Sequence, residues 1–161
     1  MIDINTIEND LLEIPSIINQ DEILKQPENQ LSKEQTTTID YIIKISKDVL
    51  DTLGVGFIEG IYHKALLVDL YKTNFIIETK KIIPICYKNI NVGYVESDIV
   101  INTEHNIYIL ELKSLDRNVS QREILQTQKY IKFIENPNNK SIIGIIINFN
   151  QKNKNIEHQI V

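Results

Sequence analysis

Residues 96–113 read Glu96-Ser97-Asp98-Ile99-Val100-Ile101-Asn102-Thr103-Glu104-His105-Asn106-Ile107-Tyr108-Ile109-Leu110-Glu111-Leu112-Lys113. Two apolar runs flank a short polar stretch, the pattern of two β-strands joined by a tight turn. Side chains at i and i+2 share a face of a strand, so Glu111 and Lys113 point one way and Leu112 the other. With the turn at Glu104-His105 and Thr103 opposite Asn106, Asp98 falls opposite Glu111 and Glu96 opposite Lys113. Two carboxylates so placed repel each other. A divalent cation removes the conflict, because hard cations take oxygen ligands from clustered carboxylates. A Glu-x-Lys pair on a strand, taken alone, describes a weak ion pair on a solvated face. Here the runs Ile99–Ile101 and Tyr108–Leu110 are apolar on both faces, which predicts helices on both sides of the sheet and leaves the charges in need of partners.

Outward from this hairpin, the chain divides by period. Residues 1–35 hold Pro15, Pro27 and many Asn, Gln and Glu, and are expected to form a flexible or partly helical acidic arm. Thr36–Thr38 offer N-cap hydroxyls, and Ile39, Ile42, Ile43, Val49, Leu50 and Leu53 follow at helical spacing, predicting a helix over 38–53. Gly54-Val55-Gly56 breaks it, and a second helix is expected over 57–72. Strands are then expected at 75–79, 82–87, 92–102 and 107–113, a helix over 120–135, and a buried strand over 141–149. Two helices, a β-meander, a crossover helix and a buried strand make an α/β (α+β) fold around one mixed sheet.

Composition bounds the function. At 161 residues with 42% hydrophobic and 24% charged residues, the chain resembles a soluble globular domain. The apolar runs are too short to span a bilayer, so no membrane association is expected. No secretory signal is evident, and the single cysteine, Cys86, excludes an internal disulfide framework or a Cys-rich zinc site. An intracellular, cytoplasmic setting is the default expectation, and Cys86 is expected to be a small buried hydrophobe. The net charge of −5 is uneven: residues 1–40 carry nine acids against two bases, and the remainder is +2. That remainder is basic enough to meet nucleic acid locally, without the footprint of a dedicated binder. His63, His105 and His158 are scattered and suggest no site, and Lys80, Lys81 and Lys88 are expected on a solvated edge.

The ordered motifs resemble a known family. Gly56-Phe57-Ile58-Glu59-Gly60-Ile61-Tyr62 is similar to the Gly-x-x-Glu-x-x-Tyr signature of the GxxExxY proteins, a branch of the PD-(D/E)XK nuclease superfamily. Asp98-Ile99-Val100 and Ile109-Leu110-Glu111-Leu112-Lys113 resemble its Asp and Glu-Leu-Lys strands. Gln126 and Tyr130 look like the pair on its crossover helix, and Ile146-Ile147-Asn148-Phe149 like its closing strand. The resemblance covers roughly 38–161. It departs at Leu50, Val55 and Glu96, and no proline precedes Asp98.

The resemblance implies a restriction-endonuclease-like mixed central sheet flanked by helices. It implies a nuclease using Mg²⁺ or Mn²⁺ on nucleic acid, with DNA preferred over RNA. Asp98, Glu111, the Leu112 carbonyl and Glu59 would hold the metal, and Lys113 would act on the attacking water. Tyr62, Gln126 and Tyr130 would contact substrate. Glu96 would strengthen metal binding or tie up Lys113. The alternative is a catalytically silent nuclease-fold module that binds nucleic acid, a protein partner or a second copy of itself.

Overall fold

The computed structural model describes residues 30–161. Their elements are α1 (Lys33–Leu53), α2 (Glu59–Leu70), β1 (Ile76–Tyr87), β2 (Ile90–Asn102), β3 (Asn106–Lys113), α3 (Gln121–Phe133), β4 (Ser141–Asn150) and β5 (Asn155–Ile160). The strands form one sheet in chain order. Every neighbouring pair is antiparallel except β3–β4, which is parallel and bridged by α3. This is the mixed, helix-flanked α+β sheet that the sequence implied.

The helices begin where local chemistry sets them. α1 starts before Thr36–Thr38, and these threonines do not cap it. Thr37 sits inside the first turns, and its hydroxyl donates back to the Lys33 carbonyl at 2.8 Å. The expected arm 1–35 lies outside the described residues up to 29, and its last residues already belong to α1. Gly54 ends the helix with φ +75°, a left-handed conformation that glycine adopts without steric cost, and its N–H bonds the Leu50 carbonyl at 2.8 Å.

The sheet carries a core on each face. Ile99, Ile101, Tyr108, Leu110, Leu112, Ile145, Ile147 and Phe149 pack against Ile42, Val49, Leu50, Tyr62, Leu66 and Leu70 of α1 and α2. On the opposite face Ile83, Val100, Ile107 and Ile109 pack against Tyr130 and Ile134 at the end of α3. This two-sided burial accounts for the unbroken apolar runs of β3 and β4.

Three expectations change. The strands expected at 75–79 and 82–87 are one strand, β1, carrying Lys80 at φ +51° where the break was expected. Residues 155–160 form an edge strand that the sequence did not announce. Cys86 is exposed, because the β1–β2 hairpin runs past the part of β2 that pairs with β3.

Candidate active site

The hairpin register is the expected one. Pairs run from Ile99↔Leu110 to Asn102↔Ile107, and the Thr103 N–H donates to the Asn106 carbonyl at 2.9 Å. Carried one step further, this register sets Asp98 against Glu111 where the two strands begin to part. Both carboxyls are buried, Asp98 at 6% and Glu111 at 3% exposure. Each has a defined set of neighbours. Asp98 Oδ2 accepts the Leu112 N–H at 2.8 Å, and Oδ1 accepts Lys80 Nζ. Lys113 Nζ donates to Glu111 Oε1 at 2.6 Å, while Glu111 Oε2 is buried with no hydrogen-bond partner among the described residues.

Burial, and then the Asp98 charge beside it, push the Glu111 carboxyl up to about 7 despite Lys113. Burial opposes the charge on Lys113, but Glu111 and the neighbouring Glu59 and Asp98 outweigh it and raise its pKa. Glu59, the first residue of α2, is also raised by burial, and it feels the charges of Lys113, Asp98 and Lys80. The cluster thus gathers carboxylates from β2, β3 and α2 with lysines from β1 and β3.

A family model of the PD-(D/E)XK nuclease superfamily matches residues 36–160. The chain belongs to the PD-(D/E)XK nuclease superfamily. No curated protein matches it.

In this PD-(D/E)XK domain the other residues singled out from sequence fall in two groups. Tyr130 approaches the cluster from α3, within reach of the Glu111, Asp98 and Lys80 charges, and Gln126 meets it through Tyr130. Gln126 Nε2 lies 2.6 Å from the Tyr130 hydroxyl, and burial, reinforced by the Glu111 charge, pushes that hydroxyl up to about 12. Tyr62 instead lies fully inside the core. Its ring stacks on Phe149 with centroids 4.4 Å apart, and its hydroxyl donates to the Gly54 carbonyl at 2.8 Å. It braces the loop that precedes α2. Beside that loop, Phe57, Ile58, Glu59, Ser114 and Gln151 line an open depression of about 510 Å³.

Leu112 packs in the core and serves the cluster through its N–H. Glu96 does not meet Lys113, because β2–β3 pairing stops at Ile99↔Leu110 and Lys113 turns to Glu111. Glu96 lies 3.7 Å from Lys80 instead.

Two residues at the cluster were not foreseen there. Lys80 sits on Asp98 and not on the solvated edge that the sequence suggests, and no pattern in sequence signals a mid-strand lysine at positive φ. His63 Nε2 lies 3.2 Å from the Asp98 carbonyl. Its spacing four residues after Glu59 on a helix was the available signal.

Among the described residues, no three His, Cys, Asp or Glu side chains stand ready to hold an ion. The donor set nevertheless suits a hard cation: paired carboxylates, one with a bare buried oxygen. No described helix is long and apolar enough to cross a membrane.

Proposed function

We propose that the chain is a divalent-metal-dependent nuclease of the GxxExxY branch, acting on DNA. The bare, buried Oε2 of Glu111 beside the Asp98 carboxylate carries this reading. A buried carboxylate oxygen without a partner costs stability, and a fold tolerates it where an incoming ligand completes it. Asp98, Glu111 and the Leu112 carbonyl would hold Mg²⁺ or Mn²⁺, with Glu59 as an outer contact. Bound there, the ion supplies Lewis-acid polarisation of the scissile phosphate.

The chain's own groups do the rest. Lys113, charged and fixed on Glu111, orients the attacking water and takes up phosphate charge. Gln126 positions the Tyr130 hydroxyl, which stays protonated and donates to a phosphate oxygen. Tyr62 acts through the loop it braces and not on the substrate.

The test is cleavage of single- and double-stranded DNA and of RNA by the full chain with Mg²⁺, with Mn²⁺ and with EDTA. Cleavage is expected with either metal and not with EDTA. Lys113→Ala is expected to lose at least about 100-fold in rate while still binding metal. Glu111→Ala is expected to lose both metal binding and cleavage. Wild type that binds no divalent metal overturns the enzyme reading.

A second reading, a silent binding module, is favoured by one observation: a lysine already sits on Asp98. Wild type that binds metal and nucleic acid but cuts neither DNA nor RNA supports it.

A further inference from the structure

Lys80 is the least ordinary residue in the sheet. It is a non-glycine residue at φ +51° in the middle of a twelve-residue strand. β1 pairs with β2 at Thr79↔Ile99 and at Lys81↔Ser97, and the step between, where Lys80 would face Asp98, is missing from the ladder. A left-handed conformation strains a long side chain, so neighbouring contacts must hold it. The contacts present are electrostatic: the ammonium sits on Asp98 Oδ1 and lies 3.7 Å from Glu96 Oε1. The side chain is 49% exposed and Asp98 is 8% exposed, so the lysine has room to move and the carboxylate does not.

Asp98 has two oxygens and both are in use, one by the backbone N–H of Leu112 and one by Lys80. The N–H belongs to the β3 backbone and cannot leave. We propose that Lys80 is a gatekeeping counter-ion of the site: it holds Asp98 in the metal-free protein, competes with a divalent cation for Oδ1, and moves to Glu96 when that cation binds. This rests on the proposed metal site and adds to it a residue that sets its affinity. It also gives Glu96 a role, as the alternative seat that keeps the displaced ammonium at the edge of the site.

The experiment is calorimetric titration of Mn²⁺ into the full chain and its variants. Lys80→Met removes the ammonium. Lys80→Gly removes it and also relieves the backbone, which guards against a variant that fails to fold. Both are expected to bind Mn²⁺ about fivefold more tightly than wild type, the worth of a modest ion pair. Lys81→Met is the control for a general field effect, since Lys81 is paired with Glu78 at 2.6 Å, and it is expected to leave Mn²⁺ affinity unchanged. Glu96→Gln is expected to weaken Mn²⁺ binding in wild type and to do so less in the Lys80→Gly background, because the two residues act as a unit.

Lys80 variants that bind Mn²⁺ no better than wild type overturn the proposal while leaving the metal site standing, as does an equal gain in Lys81→Met. Glu96→Gln effects of equal size in both backgrounds remove Glu96 as the seat. Mn²⁺ binding that appears only in the Lys80 variants supports the proposal in its strongest form. Failure of every protein to bind overturns both this proposal and the metal site.

Discussion

Glu111 shows what the site costs its own fold. Its carboxyl titrates near 7 in the folded chain, against about 4.5 when unfolded. Between those values the folded protein keeps a proton that the unfolded chain gives up, so stability falls as pH rises through this window. The loss at pH 8 is about 3 kcal/mol for this group. Glu59 is shifted in the same direction. Glu123 works oppositely: Arg117, followed by Ser120, holds its carboxyl below the usual range, so its contribution is lost only on acidification below that range. The metal-free protein is therefore expected to lose stability from pH 5 to pH 8 in urea melts, and Glu111→Gln to flatten that slope. An unchanged slope in the variant would mean that the buried carboxyl is already ionised at pH 5. The facing of Asp98 and Glu111 was legible in the sequence, because period two and a tight turn leave one register. Lys80 was not, because its place depends on a backbone conformation that carries no residue signature outside glycine and asparagine.

At the scale of elements, α3 and β4 meet with unusually little between them. A Cβ added at Gly144 would stand 2.5 Å from Thr127 Cγ2 and 2.9 Å from Ile131 Cδ1. The β-branched Thr127 is fully buried and its hydroxyl is tied to the Glu123 carbonyl at 3.1 Å, so it cannot give way. Gly144→Ala is expected to cost about 1–3 kcal/mol in a urea melt. It is also expected to disturb the site, since α3 carries Gln126 and Tyr130. A neutral Gly144→Ala would show that α3 rides loosely on the sheet. Seven of the eight elements were visible as apolar patterns, β1 as two strands, and their ends moved by a few residues where caps and turns decided them. β5 was hidden because Asn155-Ile156-Glu157-His158-Gln159 is a mostly polar edge strand, with little apolar alternation to betray it.

At the scale of the whole molecule, the compact unit of described residues begins with α1 at Lys33. Gln35 Nε2 donates to Asn106 Oδ1 at 2.8 Å, and Asn106 Nδ2 donates to Glu34 Oε1 at 3.2 Å. These contacts tie the first turn of α1 to the start of β3. A chain beginning at Thr36 is expected to be less stable than one beginning at Ser32 by about 1 kcal/mol, with these bonds lost. Equal melts for both shortened chains would show that the first turn contributes nothing.

The sheet's order, the same as the chain's, also has a consequence in time. β1, β2 and β3 are joined by tight turns, as are β4 and β5, so most pairings close over short loops with little entropic penalty. The one distant closure in the sheet is β3 on β4, across the segment from Ser114 to Lys140. Loop length alone favours the β1-β2-β3 meander and the β4-β5 hairpin closing before the α3 crossover brings them together. Asp98 and Glu111 both lie in the meander. In that order they would meet while water still surrounds them, with their repulsion at its weakest when their register is set.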